Sequence, residues 1–166
     1  LGGSSCHIHM SLLGADGKSA FASGDDGRGT SKTMRHFLGG LTAHLRDVFL
    51  FLAPTINSYR RLRPGTFAPA SVTWGEDNRT AALRLVGKGE WRRIENRIPG
   101  ADVNPYLAYS AMLAGGLRGI EEGIEPIGEA ATGNAYGMIE SPKLPSSLEE
   151  ATIAFESSQM VNEAFG

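Results

Sequence analysis

Arg93-Ile94-Glu95-Asn96-Arg97 is the stretch on which the fold turns. Read as a β-strand, it places Arg93, Glu95 and Arg97 on one face and Ile94 and Asn96 on the other. Two guanidinium groups then flank one carboxylate. A strand face carries that much charge only where it meets water or binds something. Residues 5–12 repeat the device: Ser5, His7, His9 and Ser11 alternate with Cys6, Ile8, Met10 and Leu12. The alternation predicts a strand with one face in a core and the other toward a cleft. Basic forks, a lone carboxylate and histidines are the groups that hold phosphates through a divalent metal.

Outward from these strands, Gly14-Ala15-Asp16-Gly17-Lys18 is a turn signal, and residues 23–29 are rich in Gly and Asp and read as a loop. Met34, Phe37, Leu38, Leu41, Leu45, Val48, Phe49 and Leu52 recur at helical spacing, predicting an amphipathic helix over 31–52 capped by Thr30 or Ser31 and followed by Pro54. That stripe reads as core. Residues 57–69 form a loop with Arg60, Arg61, Arg63 and two prolines, followed by short strands expected at 71–74 and 81–86, with the 93–97 stretch inside a strand over 92–98. Asn104 before Pro105 is a strong helix start, and the helix reaches about residue 122. Leu113, Leu117 and Ile120 line one of its faces, while Ala108, Ala111, Ala114, Gly115 and Gly116 permit close backbone approach. Residues 128–145 are rich in Gly and Pro and read as an exposed loop, and Ser147-Leu148-Glu149-Glu150 opens a last helix. The expected class is α+β, an antiparallel sheet with packed helices.

The chain has 166 residues with 41% hydrophobic and 20% charged, enough for one globular domain with a sizeable core. A formal net charge of −2 argues against nucleic-acid binding, which rests on excess Lys and Arg. The arginines therefore act locally. The single Cys6 excludes a disulfide framework and suits a reducing compartment. No apolar run approaches the roughly 20 residues of a membrane span, and no signal peptide is visible, so a cytoplasmic protein is expected. The chain begins without Met and enters a dense polar strand at once, as an excised part of a longer protein would.

His7 and Glu95 are the candidate metal ligands. Mg²⁺ and Mn²⁺ favour oxygen, Mn²⁺ also accepts imidazole, and phosphate and water can supply remaining positions. The alternative is a hydrogen-bonded histidine and a salt-bridged glutamate. A zinc site is disfavoured, because Cys6 points away from His7 and there is no CxxC pair. Arg61, Arg79, Arg84, Arg93 and Arg97 are the candidate anion binders. Arg84, flanked by Leu83 and Leu85, needs an anionic partner, either a ligand or an internal carboxylate. His9 and Ser11 share the face of His7 and are placed to hydrogen-bond a ligand.

His7-Ile8-His9-Met10-Ser11-Leu12, Asn57-Ser58-Tyr59-Arg60-Arg61-Leu62, Asn78-Arg79-Thr80-Ala81, Arg93-Ile94-Glu95-Asn96-Arg97 and Ala101-Asp102-Val103-Asn104-Pro105-Tyr106 resemble, in order and spacing, the glutamine synthetase family. The resemblance covers nearly the whole chain and corresponds to the C-terminal part of that family's catalytic domain, of the glutamine synthetase/guanido kinase-like fold. Residues 1–166 would then be a partial catalytic domain, lacking the N-terminal β-grasp domain and the first part of the catalytic domain. The resemblance implies a carbon–nitrogen ligase of nitrogen metabolism: ATP phosphorylates the glutamate side chain, and an amine displaces phosphate from γ-glutamyl phosphate. It implies Mg²⁺ or Mn²⁺ on His7 and Glu95, nucleotide contacts from His9 and Ser11, and glutamate binding by Arg61 and Arg97. Arg79, Arg84 and Arg93 hold the phosphates in this reading, with Arg79 and Arg84 stabilising the transferring phosphoryl group. A ring-shaped homo-oligomer, with the small domain completing each site across a subunit boundary, is also implied. The 166-residue chain alone would be inactive.

Departures from the family pattern are informative. Ammonia-using members carry Gly-Tyr-Glu-Ala-Pro where this chain has Gly65-Thr66-Phe67-Ala68-Pro69. Phe67 cannot accept a proton, which points to a larger primary amine such as ethanolamine, methylamine or a polyamine as acceptor rather than ammonia. Gly2-Gly3 replaces an Asn-Gly that contacts glutamate, and Glu90 replaces a Lys, with Lys88 nearby. Tyr136 aligns with a tyrosine that some bacterial members adenylylate, in surroundings that differ. A non-catalytic structural or binding relative on the same fold is the alternative; the retained His7, Glu95, Arg84 and Arg97 speak against it.

Overall fold

The computed structural model describes residues 4–22, 29–63, 65–138 and 140–166. The Gly2-Gly3 departure and the loop expected over 23–29, apart from Gly29, lie outside the described residues.

Four short strands form one sheet in the order β1-β4-β3-β2: β1 (Ile8–Met10), β2 (Trp74–Glu76), β3 (Leu83–Val86) and β4 (Arg93–Asn96). The α+β architecture of a small sheet with packed helices stands. β1 and β3 each run antiparallel to β4, but β2 runs parallel to β3, so the sheet is mixed rather than antiparallel throughout. Hydrogen bonds from Leu83 N–H to the Thr73 carbonyl and from Asp77 N–H to the Leu85 carbonyl, both 2.9 Å, hold that parallel pair. The first two strands are shorter or shifted. Beyond β1 only the isolated bridges Ser5–Gly100 and Leu13–Ser19 continue the pairing, and Ser71 bridges to Lys143 instead of joining β2.

The pleat sorts the side chains as alternation requires. Ile8, Leu83, Leu85 and Ile94 are buried on the core side, whereas His9, Glu95 and Arg84 form a cross-strand row on the other.

The helix expected over 31–52 begins where predicted. Ser31 caps α1 (Lys32–His44) by accepting the Met34 amide at 3.1 Å, and its own hydroxyl donates to the Ala20 carbonyl. The helix does not run on unbroken. At residues 45–48 the ladder tightens to Phe49 N–H→Arg46 O and Phe51 N–H→Val48 O bonds, and a separate α2 (Phe49–Leu52) follows. The apolar stripe survives, because Met34, Phe37, Leu38, Leu41, Leu45, Val48, Phe49 and Leu52 are all buried.

Asn104 caps α3 (Pro105–Glu122), and Gly123 ends it in the left-handed region at φ 66°. Its packing face is the small one. Ala108, Ala111, Met112, Gly115, Gly116 and Gly119 are buried, while Leu113 and Leu117 are 40% and 44% exposed. A β-carbon on Gly40 of α1 would lie 2.0 Å from the Gly115 carbonyl oxygen and 2.7 Å from Gly119 Cα. The two backbones meet too closely for large side chains, so the leucines point away. The expected apolar face is thus displaced.

The described part of 128–145 is largely the exposed loop expected, tied down at a few points. The Ala131 amide donates to the Trp74 carbonyl and the Leu144 amide to the Ala70 carbonyl, and Ala131, Ala135 and Leu144 are buried. Ser147 caps α4 (Leu148–Ser157), and Ser158 caps a further α5 (Gln159–Phe165). Among the described residues no helix is long and apolar enough to cross a membrane.

Candidate functional site

Glu95 is the hub. It sits mid-strand on β4, opposite His9 on β1 and Arg84 on β3. Arg84 Nη1 donates to its Oε2 at 3.0 Å, Arg97 Nη1 donates to Oε1 at 3.0 Å, and His7 Nδ1 lies 3.1 Å from Oε1. His9 Nε2 is 3.9 Å from the same oxygen. Under this cover the carboxylate is only 3% exposed. Burial pushes its pKa up. The Arg84 hydrogen bond and the charges of Arg97 and Arg84 outweigh it, so the net shift is downward and the group stays ionised.

Of the two readings of the arginines, the structure shows the internal pairing. Arg84 is half-buried and pairs with Glu95 on one side and with the exposed Asp77 on the other. The internal carboxylates account for its Nη atoms; Arg84 Nε and Arg97 Nε, like Arg92 Nε on the opposite face, are buried without a hydrogen-bond partner among the described residues.

His7 stands on the exposed side of its strand, with Nε2 3.2 Å from the Ser5 hydroxyl. Burial first, then the Arg97 guanidinium, lowers its pKa against the pull of Glu95, which favours the neutral imidazole a metal requires. A nitrogen and a carboxylate oxygen converging on one spot fit a hard or borderline divalent cation. Among the described residues no third His, Cys, Asp or Glu joins them.

The other candidates spread across the same face. Arg93 Nε donates to His9 Nδ1 at 3.1 Å and its Nη1 to the Trp91 carbonyl. Ser11 is exposed just past the end of β1. Arg61 follows a 3-10 turn (Ser58–Arg60) and donates to the Ile98 carbonyl; with Asn57, Ser58 and Asp102 it lines a cavity of about 400 Å³. Arg79 stands apart: it is exposed at the tip of the turn between β2 and β3, beside Asp77 and away from Glu95. The structure therefore gathers His7, His9, Arg84, Arg93 and Arg97 around Glu95, with Arg61 at one edge, and leaves Arg79 and Ser11 outside that contact network.

Sequence reasoning passed over Asp77 and Arg92, and noted Tyr136 in another role. Asp77, with φ 45° in the left-handed region, braces Arg84. Arg92, next to Arg93 but on the opposite face, is buried and bridges Glu76, the Gly87 carbonyl and Thr30. Tyr136 donates its hydroxyl to the Phe67 carbonyl at 2.7 Å, across the mouth of a cavity of about 270 Å³. The acidic Glu76-Asp77 pair before an arginine-bearing strand was the available signal for the first two; nothing local marked the contact of Tyr136 with Phe67.

The family model for the glutamine synthetase catalytic domain matches residues 1–166. Gamma-glutamylethanolamide synthetase of Streptomyces coelicolor is 51% identical over 166 residues, covering 100% of this chain and 35% of that protein. Glutamate–isopropylamine ligase of a Pseudomonas species is 41% identical over 168 residues, 98% of this chain and 36% of the relative. Glutamine synthetase of Thermotoga maritima is 40% identical over 172 residues, 99% and 39%. Among solved structures, GmaS without ligand superposes with a TM-score of 0.88 and GmaS in complex with ADP with 0.89; each is 35% identical and matches 99% of this chain, against 38% and 39% of the GmaS chains. The chain thus spans a little over a third of the length of the relatives it matches. Matched from end to end by that model and half identical to one relative, the chain belongs to the glutamine synthetase catalytic-domain family.

Proposed function

We propose that this chain is the C-terminal part of the catalytic domain of an ATP-dependent glutamate–amine ligase. The observation that carries the reading is the set of arginines gathered around Glu95, with Arg84 and Arg97 each donating to its carboxylate on the face that also carries His7 and His9. Phosphoryl transfer is catalysed mostly by positioning and by neutralising charge, and such a wall does both. In the reaction, the glutamate γ-carboxylate attacks the terminal phosphorus of ATP and ADP leaves. The amine nitrogen then attacks the γ-carbonyl carbon, a C–N bond forms, phosphate departs and the nitrogen loses a proton.

Arg84 and Arg93 hold phosphate oxygens in this reading, Arg61 and Arg97 the glutamate, and His9 and Ser11 the nucleotide. Arg79, exposed and without an ion-pair partner among the described residues, is free to swing onto the transferring phosphoryl group. His7 and Glu95 would hold Mg²⁺ or Mn²⁺, which offsets phosphate charge when bound. The likeness to GmaS with ADP supports nucleotide use. Phe67, in place of a carboxylate, favours an organic primary amine over ammonia, and relatives named for ethanolamide and isopropylamine support that choice. The remaining parts of the catalytic unit, a ring-like homo-oligomer and a cytoplasmic location belong to the same proposal.

The test is ADP release by the full-length protein with glutamate, ATP and a panel of amines, with the γ-glutamyl product identified by mass. Amine-dependent ADP release is expected, falling by at least about a hundredfold in Arg84→Ala. No ADP release with any amine would reject the reading and leave a non-catalytic relative. Activity confined to ammonia would reject the Phe67 argument alone.

A further inference from the structure

The cavity beneath the Phe67 segment takes no part in the phosphate or glutamate roles assigned above. It holds about 270 Å³, room for a small ligand. Its position follows from the pleat. Thr73, on its wall, lies two residues before Gly75 of β2, which pairs with Arg84 of β3, so the wall belongs to the sheet face that carries Arg84 and Glu95. On the other side the segment is moored to the arginine stretch, because the Thr66 hydroxyl donates to the Arg61 and Arg63 carbonyls. The cavity therefore lies between the part of the chain assigned to glutamate and the part assigned to phosphate.

The lining has a definite chemistry. Phe67, Ala68, Pro69 and Tyr136 offer apolar surface. The only formal charges among the described lining residues are those of Arg63 and Lys143, both positive, and none of those residues is Asp or Glu. Lys143 Nζ donates to the Ser71 hydroxyl at 3.0 Å, a neutral partner that leaves its charge uncompensated within the wall.

We propose that this cavity receives the substituent of the acceptor amine and selects primary amines with a neutral tail over diamines and polyamines. The inference rests on the amine-ligase reading and narrows it. An alkyl or hydroxyalkyl tail gains apolar burial against Phe67, Ala68 and Pro69. A second ammonium in the same place meets two like charges and no carboxylate. Ammonia has no tail and gains nothing from the cavity.

The matched pair n-butylamine and 1,4-diaminobutane tests this in the full-length protein, since the two differ by one terminal ammonium. The kcat/KM for butylamine is expected to exceed that for the diamine by about tenfold at low salt, the scale of one charge interaction in a partly exposed cleft. Because Arg63 and Lys143 are exposed, the preference shrinks in ~0.5 M salt, where screening acts within about 4 Å. Lys143→Glu reduces the ratio by at least about fivefold, and Lys143→Gln by less, in the order of the charge change. A diamine used as well as butylamine overturns the proposal, as does a ratio that neither salt nor the Lys143 variants move. No ADP release with any amine instead overturns the amine-ligase reading and this inference with it, an outcome distinct from a reversed preference.

Discussion

Tyr136 and Phe67 are joined by one hydrogen bond, from the tyrosine hydroxyl to the phenylalanine carbonyl at 2.7 Å, across 69 positions of sequence. Phe67 is held at φ 59°, a left-handed conformation that a residue with a β-carbon rarely adopts, and its ring is 81% exposed. The ring therefore does not hold the segment through packing. Its backbone is fastened instead.

Removing that hydroxyl alone, in Tyr136→Phe, should cost about 0.5–1.5 kcal/mol of local stability without disturbing the core. Amide hydrogen exchange is the direct measurement: residues 65–69 should exchange faster in the variant while α1 and α3 keep their protection. Unchanged exchange in that segment would show that the Thr66 bonds suffice to hold it.

Arg92 and Arg93 are adjacent in sequence and lie on opposite faces of the sheet. Arg92→Ala removes a buried guanidinium bonded to Glu76, Gly87 and Thr30, and should lower stability by about 2–3 kcal/mol in denaturant titrations, since half-exposed Glu76 is left partly hydrated. Arg93→Ala should stay within about 0.5 kcal/mol in the same titration, yet weaken ADP binding by roughly tenfold in calorimetry. Equal destabilisation by the two would contradict the face assignment.

The crossing of α1 and α3 is set by glycine. Gly40→Ala puts a methyl group 2.0 Å from the Gly115 carbonyl oxygen, so the helices must part, at a cost of about 3 kcal/mol or more. Gly133→Ala meets nothing within 4 Å and serves as the control. Thermal unfolding should show a large drop in Tm for the first and little change for the second.

Asp102 should shape the acid limb of stability. Burial pushes its carboxyl pKa up, but bonds from Ser58 at 2.6 Å, its own amide and Thr55, with the charge of Arg61, bring it below the ordinary value. A folded-state pKa below the unfolded one means that this contribution is present above about pH 4 and disappears as pH falls through the folded value. Asp102→Asn should cost about 1 kcal/mol at pH 7, the low end because the carboxylate is exposed, and the difference from wild type should vanish in the most acid samples. A constant difference across the range would mean that Asp102 acts by shape alone.

What the sequence determined by itself was local. Ser31, Asn104 and Ser147 cap helices where their side chains reach the next turn's amides, and the alternation in 93–97 and 5–12 puts histidines, arginines and Glu95 on one face. These follow from short-range hydrogen bonding and the pleat, which need no knowledge of the rest of the chain. Tertiary structure decided whatever depends on which distant segments meet. The parallel β2–β3 pairing, the approach of Arg84 to Glu95 and the Asp77 brace all join residues that only the assembled sheet brings together. Arg92 and Arg93 carry the same charge in the sequence, and only the sheet's two faces tell structure from site. Leu113 and Leu117 look like core by composition, yet the close approach of glycine backbones left no room for them. Burial is a property of the whole packing, so no local pattern could state it.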